Sequence, residues 1–161
     1  PEIGDTHQGG IVFWLDGNGG GLIAAPTDQS TGAAWGCDGT AIPGADGIGI
    51  GYGKQNTIDI LNGCETPGTA AGICANLTLG GYDDWFLPSK DELIEMLGNI
   101  GDLLTFDEKY WSSTEFMNVQ AGQQASSPII AWGGKISPIS GMFTLPTGKS
   151  EICHVRAVRA F

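Results

Sequence analysis

The sequence predicts an α+β domain in which helices occupy the middle of the chain and short strands lie at both ends. Three observations lead to this fold class. The chain opens with a β-hairpin pattern, continues through two to three helical segments, and closes on the alternating stretch Val155–Phe161. Its 161 residues have room for one domain, so we expect a single domain over residues 1–161 with the terminal strands paired in one sheet.

The hairpin is predicted over Gly10–Ala25. The apolar run Ile11–Leu15 is followed by Asp16–Gly21, where Asp-Gly and Asn-Gly tolerate the positive φ angles of tight turns. The same turn begins like an EF-hand loop. Because Gly20 and Thr27 stand where the fifth and twelfth calcium ligands belong, a hairpin turn is the better interpretation.

Three helices are predicted in the middle of the chain. A short one covers Asn56–Asn62, and a second starts at Thr66–Pro67 and ends at Gly80–Gly81. The third starts with the capping box from Ser89 to Glu92 and continues as an apolar stripe. Further along the chain, the predicted strands are Ile129–Trp132 and Met142–Leu145.

The charge balance excludes several classes of partner. Seven basic against 18 acidic residues give a net charge of −11, which would repel nucleic acid. A run of about 18 apolar residues, which a membrane span needs, does not occur, so we predict no membrane insertion. The glycine-rich stretch 47–55 has Ile48 and Gln55 where a phosphate loop needs Gly and Ser or Thr. We therefore predict no cofactor and assign no metal ligand.

Catalytic residues do not form a pattern in this sequence. Cys153 and His154 are neighbours in a predicted strand, so their side chains point to opposite faces. With no other nucleophile and base in view, we predict that the protein is not an enzyme.

Two arginines in the apolar C-terminal stretch need partners, because an unpaired buried guanidinium is costly. We expect structural ion pairs in which Asp84, Glu92 or Glu115 supplies the carboxylate to Arg156 and Arg159.

Four cysteines, Cys37, Cys64, Cys74 and Cys153, allow three disulfide connectivities. The low lysine content together with the frequent Gly, Asn, Thr and Ser favours disulfides in an oxidising compartment. The alternative is a set of buried free thiols, since free cysteine is a common core residue.

Six fragments spread over the chain form a set, and the longest of them is the most specific. They are Ile3–Asp5, Gly9–Phe13, Trp35–Cys37, Gly80–Leu93, Tyr110–Glu115 and Val155–Arg159. The set resembles the C-terminal domain family of the Legionella collagen-like adhesin, which occurs in secreted and surface proteins of bacteria, notably Bacteroidetes. The resemblance runs from Ile3 to Phe161.

This resemblance implies a C-type-lectin-like fold, in which the first and last strands pair and helices flank a mixed sheet. Related folds include the formylglycine-generating enzymes and the variable proteins diversified by retroelements. The reactive cysteine pair of the former has no counterpart here, and the Glu-Pro-Asn and Trp-Asn-Asp motifs of calcium-dependent lectins are absent. Neither oxidase activity nor calcium-mediated sugar binding is therefore implied.

The resemblance also implies adhesion and ligand recognition, often of glycans, outside the cell or on the bacterial cell surface. By position, the ligand would contact loops in residues 116–150 of a domain that we expect to be a piece of a longer surface protein. The alternative is a structural or assembly domain without a ligand of its own, and the oligomeric state stays open. The candidate ligand-binding residues are Asn118, Gln120, Gln123, Gln124, Trp132, Lys135, Phe143 and Lys149.

Relatives often carry a cysteine in the last strand, at the position of Ala157. Cys153 lies four residues earlier on the same face and would take its place, which leads us to expect the bridges Cys74–Cys153 and Cys37–Cys64.

Overall fold

A computed structural model describes the backbone of residues 1–120 and 123–161 and the side chains outside residues 118–125. The described residues form an α+β fold with three α-helices and two sheets, one antiparallel and one mixed. The strands are β1 (Thr6–His7), β2 (Gly10–Leu15), β3 (Gly21–Ala24), β4 (Ser30–Ala33), β5 (Tyr110–Gln120), β6 (Gln123–Ser137), β7 (Gly141–Gly148), β8 (Cys153–Val155) and β9 (Val158–Ala160). The helices are α1 (Gly53–Gly63), α2 (Ala70–Ala75) and α3 (Lys90–Ile100).

The first sheet is antiparallel, in the order β1-β2-β3-β9. The predicted hairpin is confirmed as β2 and β3, and its turn is held by Asp16, whose Oδ1 accepts the backbone N–H groups of Asn18 and Gly20. Both ends of the chain lie in this sheet. The predicted pairing of the terminal strands with each other is wrong: β9 pairs with β3, and β1 and β9 occupy opposite edges of the sheet.

The second sheet has the order β4-β8-β5-β6-β7 and is mixed, because β8 runs parallel to β5. The C-terminal stretch, predicted as one strand, is two strands in two sheets. Val155 ends β8 in the second sheet, and Val158 starts β9 in the first, so the chain changes sheet at Arg156 and Ala157.

The helices differ from their predicted bounds for local reasons. The first starts at Gly53, three residues before its predicted first residue Asn56, whose side chain bonds to both backbone groups of Gly47. The second starts after Thr69, whose hydroxyl accepts the N–H of Gly72. Its predicted start further upstream is blocked by Gly68, which has a φ of 71°. The third has the predicted capping box.

The core consists of two clusters. The larger one packs Trp35, Trp111 and Ile42 between α1, α2 and the second sheet, and the smaller one packs α3 against the first sheet around Phe13 and Leu93. No helix in residues 1–120 or 123–161 has both the length and the hydropathy needed to span a membrane.

One of the two expected disulfides is present. Cys37 and Cys64 are bridged, whereas the expected bridge between Cys74 and Cys153 is wrong, because both residues are free. Each free thiol is buried in the larger core cluster, where it packs as a small apolar side chain. Burial raises the pKa of both thiols, that of Cys153 to about 11.

Candidate functional site

The segment predicted to carry ligand-binding loops is three strands of antiparallel sheet. β5 pairs with β6 with two register shifts, and β6 pairs with β7 without interruption from Ile130 and Gly148 to Ser137 and Gly141. The two short strands predicted within 116–150 are therefore parts of longer ones. β6 has a neighbour on each side, which extends its ladder well beyond the apolar run that predicted it.

Trp132 is the best-placed of the predicted ligand residues, half-buried on one face of β6. The centroid of its ring is 5.2 Å from that of Phe116, and Lys90 Nζ is 3.7 Å from the Trp132 ring centroid. Pro146 is directly opposite Trp132 on β7 and is exposed. We call Lys90, Phe116, Trp132 and Pro146 the Trp132 patch.

Helix α3 closes the same sheet face on one side of the patch. Two residues beyond Trp132, a Cβ on Gly134 would come within 2.9 Å of Leu97 and 3.2 Å of Leu93. The sheet is thus covered at Gly134, and the Trp132 patch begins where α3 begins, at Lys90. An aromatic surface of this kind can stack on the apolar face of a sugar ring or pack against a protein.

The position of Lys90 is fixed by the start of α3. Ser89 caps the helix, and the carboxylate of Glu92 accepts the backbone N–H of Ser89 at 2.7 Å. The N–H of Lys90 itself donates to Thr114 Oγ1 of β5 at 2.9 Å. These bonds hold the first turn of α3 on the sheet and so place the backbone of Lys90 beside Trp132.

The sequence predicted Glu92 as a possible partner for an arginine, and this prediction is wrong. Its carboxylate accepts backbone N–H groups from Ser89 and Gly51. Burial raises the pKa of Glu92 against the opposing effect of these hydrogen bonds.

Lys135 and Phe143 lie on the opposite face of the sheet from Trp132. They are directly opposite each other on β6 and β7, with Lys135 Nζ 5.5 Å from the ring centroid of Phe143. Lys135 also pairs with Asp107 at 3.2 Å. Since alternate residues of a strand face opposite ways, these two side chains and Trp132 cannot contact one compact ligand together.

Lys149 is not available to a ligand, which corrects its predicted role. Its side chain is fully buried, and its Nζ is 2.6 Å from Glu115 Oε2 and 2.9 Å from the carbonyl oxygen of Thr40. Glu115 in turn accepts the backbone N–H of Ile42. Lys149 Nζ also lies 4.5 Å from the ring centroid of Trp35. The predicted ion-pair role of Glu115 is real, but its partner is Lys149 and not an arginine.

Of the predicted arginine pairs, that between Arg159 and Asp84 is confirmed. Arg156 pairs with Asp28, which was not among the predicted partners, through Nε at 2.8 Å and Nη2 at 2.6 Å from Oδ1. Asp28 lies between β3 and β4, where the chain leaves the first sheet, and Arg156 lies where it returns. Their ion pair therefore fastens both crossings between the two sheets.

Asp28 also accepts hydrogen bonds from Tyr110 Oη at 2.8 Å and from His154 Nδ1 at 2.7 Å. Burial acts to raise the pKa of Asp28, but the hydrogen bonds from His154, Tyr110 and Arg156 outweigh it and hold the pKa below its usual value. Burial raises the pKa of Tyr110. The cluster has a structural role: Asp28 accepts hydrogen bonds from Tyr110, His154 and Arg156, and it forms an ion pair with Arg156.

The four predicted amide residues, Asn118, Gln120, Gln123 and Gln124, have side chains outside the described residues. Their backbones lie in the paired ends of β5 and β6, where Gln120 is opposite Gln123. In the described part of the chain no group of three or more His, Cys, Asp or Glu side chains is placed to hold a metal ion, and no pocket is found. The candidate site is the Trp132 patch, on the surface of the sheet.

Lys90, Phe116 and Pro146 were missed as individual site residues. Phe116 and Pro146 lay within the predicted segment, but only the β5–β6–β7 register shows that they share a face with Trp132. Lys90 is distant in the sequence, and its only sequence signal was its place beside the capping box.

Comparison of the sequence with protein-family models and with curated protein sequences finds no match to either.

Proposed function

We propose that this chain is a secreted or cell-surface ligand-binding module with a C-type-lectin-like fold, of the kind found in bacterial adhesins. It recognises an uncharged glycan or a protein through the Trp132 patch. The observation that carries the proposal is the pair of half-buried aromatic rings, Trp132 and Phe116, with the ammonium group of Lys90 at one side and an exposed proline at the other.

The chemistry of the surrounding segment supports an uncharged ligand. Residues 116–150 contain no Asp or Glu, although the chain has a net charge of −11. Of the two lysines in this segment, Lys149 is buried against Glu115 and Lys135 is paired with Asp107. The segment therefore presents apolar and neutral groups, which suit the faces of sugar rings or a protein surface.

The scaffold behind the patch supports this role, because a binding surface needs support from fixed neighbours. The carboxylate of Glu115, one residue before Phe116, is held by Lys149 and by the N–H of Ile42. The disulfide Cys37–Cys64 closes the loop that carries Ile42, and it is compatible with an extracellular domain.

The test is capture of glycans and surface proteins on arrays by the purified domain, with Trp132→Ala as the variant. Phe143→Ala is the matched control, since it removes a half-buried aromatic side chain from the other face of the same sheet. We expect Trp132→Ala to weaken capture about 30-fold, the effect of removing a central aromatic contact, and Phe143→Ala to leave it unchanged.

Melting curves of both variants accompany the arrays. If Trp132→Ala captures ligand as the wild type does, the site lies elsewhere and the proposal fails. If the wild type captures nothing on either array, the alternative of an assembly domain without its own ligand replaces it.

A further inference from the structure

β7 forms an edge of the second sheet and pairs only with β6 among the described residues. In such a strand alternate residues direct both backbone groups away from the sheet. Which residues these are follows from two hydrogen bonds. The N–H of Lys149 donates to the carbonyl oxygen of Ile129, in register with the β6–β7 ladder, whereas the carbonyl oxygen of Ile136 accepts from Asp107, on the side away from β7.

This alternation assigns the inward backbone groups of β7 to Phe143, Leu145 and Thr147, and the outward groups to the even-numbered residues. The outward N–H of Gly148 donates to Glu151 Oε2 at 2.9 Å, and its carbonyl oxygen accepts the N–H of Glu151.

The remaining outward groups are the N–H and C=O of Met142 and Thr144 and the C=O of Pro146. Within the described residues none of them has a hydrogen-bond partner. Proline at an edge removes a donor and limits pairing, so the usable edge is the short stretch Met142–Thr144.

The surroundings of this edge are neutral in a molecule that is otherwise strongly acidic. The strand itself carries no charged residue, and residues 116–150 contain no acidic one. Two copies of a chain with a net charge of −11 repel each other over most approaches. An approach along the β7 edge brings together segments without acidic residues, which reduces this repulsion.

We propose that β7 pairs with β7 of a second copy of the chain, antiparallel and about a two-fold axis, with Met142 of one copy opposite Thr144 of the other. This register satisfies the outward N–H and C=O of both residues in each copy, which makes four hydrogen bonds. Phe143 then lies directly opposite Phe143 of the second copy, as a non-hydrogen-bonded cross-strand pair whose side chains are close together.

The same register accounts for an otherwise unexplained apolar side chain. Ile139, in the turn between β6 and β7, is 95% exposed. Pairing Met142 with Thr144 places Ser140 of that turn opposite Pro146 of the second copy, which brings the neighbouring Ile139 to the end of the paired strands. The interface is short, and we therefore expect a weak dimer that forms with rising concentration.

Sheet pairing about this axis places the Trp132 patches of both copies on one face of a continuous sheet. If the patch binds ligand as proposed above, the dimer binds repeated ligands with increased avidity, so the array test with its Phe143→Ala control is run at concentrations at which the domain is monomeric. The dimer itself does not depend on that function.

The test is sedimentation velocity over a concentration series for the wild type, Thr144→Pro and the matched control Thr144→Val. Thr144→Pro removes an outward N–H while leaving the inward hydrogen bonds of Phe143 and Leu145 to β6 available, and the control keeps that N–H. We expect the wild type and Thr144→Val to shift from monomer to dimer with concentration and with added salt, and Thr144→Pro to lose at least 10-fold in dimer affinity. A wild type that stays monomeric at millimolar concentration, or a Thr144→Pro variant that dimerises as the wild type does, overturns the proposal.

Amide hydrogen exchange of the wild type gives a second readout that needs no variant. The amides of Met142 and Thr144 should exchange quickly in dilute solution and slow down as concentration rises, while those of Phe143 and Leu145 stay protected throughout. Concentration-independent exchange at Met142 and Thr144 contradicts the pairing even if Thr144→Pro fails to fold. Array capture by the wild type is read separately, so that failure of the dimer and failure of the Trp132 patch are told apart.

Discussion

Lys149 and Glu115 form an ion pair that is completely excluded from solvent, with 2.6 Å between Nζ and Oε2. Around it, the carbonyl oxygen of Thr40 accepts from the lysine, and the N–H of Ile42 donates to the glutamate. Every charged atom of the pair therefore has a partner. The pair connects the residue after β7, the middle of β5 and the loop that precedes α1.

Removing one member of this pair should be costly. We expect Lys149→Met to lower the free energy of unfolding by about 3–5 kcal/mol, because it leaves Glu115 buried without its cation. The double variant Lys149→Met with Glu115→Gln should recover part of that loss, because no uncompensated charge remains. Urea denaturation measures both, and a loss below about 1 kcal/mol for the single variant would mean that water reaches the pair.

Asp28 should make the domain sensitive to acid. Its folded pKa lies below the ordinary value of 3.8, so the unfolded chain binds the proton more readily. The stabilisation is therefore present above that value and is lost as pH falls through it towards the folded pKa. Asp28→Asn should cost about 3 kcal/mol at neutral pH, by removing the charge that faces Arg156.

Thermal melting between pH 7 and pH 3 tests this dependence. The difference in melting temperature between the wild type and Asp28→Asn should become smaller as the pH falls. The control is Asp83→Asn, which changes an exposed residue and should melt like the wild type at each pH. A difference that stays constant over this range would show that Asp28 does not titrate as described.

Thiol counting distinguishes one disulfide from two. Without reductant, a thiol reagent should find no reactive cysteine in the native protein, because Cys74 and Cys153 are buried and their pKa values are raised. After denaturation it should find two. Finding no reactive cysteine after denaturation would show that Cys74 and Cys153 form a disulfide after all.

The disulfide that is present should stabilise the fold. Cys37 and Cys64 are separated by 27 residues, and closing a loop of that length in the unfolded chain is worth about 3.5 kcal/mol. Replacing both with serine should lower the free energy of unfolding by about that amount, as measured in urea. An unchanged value would contradict the expected effect of the bridge on the unfolded chain.

Two glycines should respond oppositely to alanine. Gly98 is exposed in α3, and a Cβ there meets nothing within 4 Å, so Gly98→Ala should stabilise by about 0.5–1 kcal/mol. A Cβ on Gly53 would lie 2.8 Å from the backbone nitrogen of Ser89 and 2.9 Å from the carbonyl oxygen of Leu87. Gly53→Ala should therefore separate α1 from α3 and destabilise by about 1–3 kcal/mol, as thermal melting of both variants will measure. Equal changes in melting temperature for Gly98→Ala and Gly53→Ala would contradict the close packing at Gly53.

The parts of the fold that could be predicted are those set by neighbouring residues. The hairpin turn at Asp16 and the capping box at Ser89 depend on contacts within four residues, and both are confirmed. Burial of an arginine correctly predicted the need for a carboxylate at Arg159, and Asp84 supplies it.

The parts that could not be predicted depend on register between distant strands. Lys149 and Trp132 both lie in residues 116–150, the segment predicted to bind a ligand, and no sequence signal separates them. In the structure Lys149 is buried against Glu115, whereas Trp132 is on the surface of the sheet. Asp28 was missed because its pairing with Arg156 arises only where the chain changes sheet twice. The sequence predicted the segment that contains the candidate site, but not which of its residues share a face of the sheet with Trp132.

The most direct test of the ligand-binding proposal is chemical-shift mapping of the isotopically labelled domain with the compound that the arrays select. The account predicts that the largest shifts occur at the indole N–H of Trp132 and at the amides of Lys90 and Phe116, with Lys135 and Phe143 on the opposite face unchanged. Shifts confined to Lys135 and Phe143, with Trp132 unaffected, would contradict it and place the ligand on the other face of the sheet.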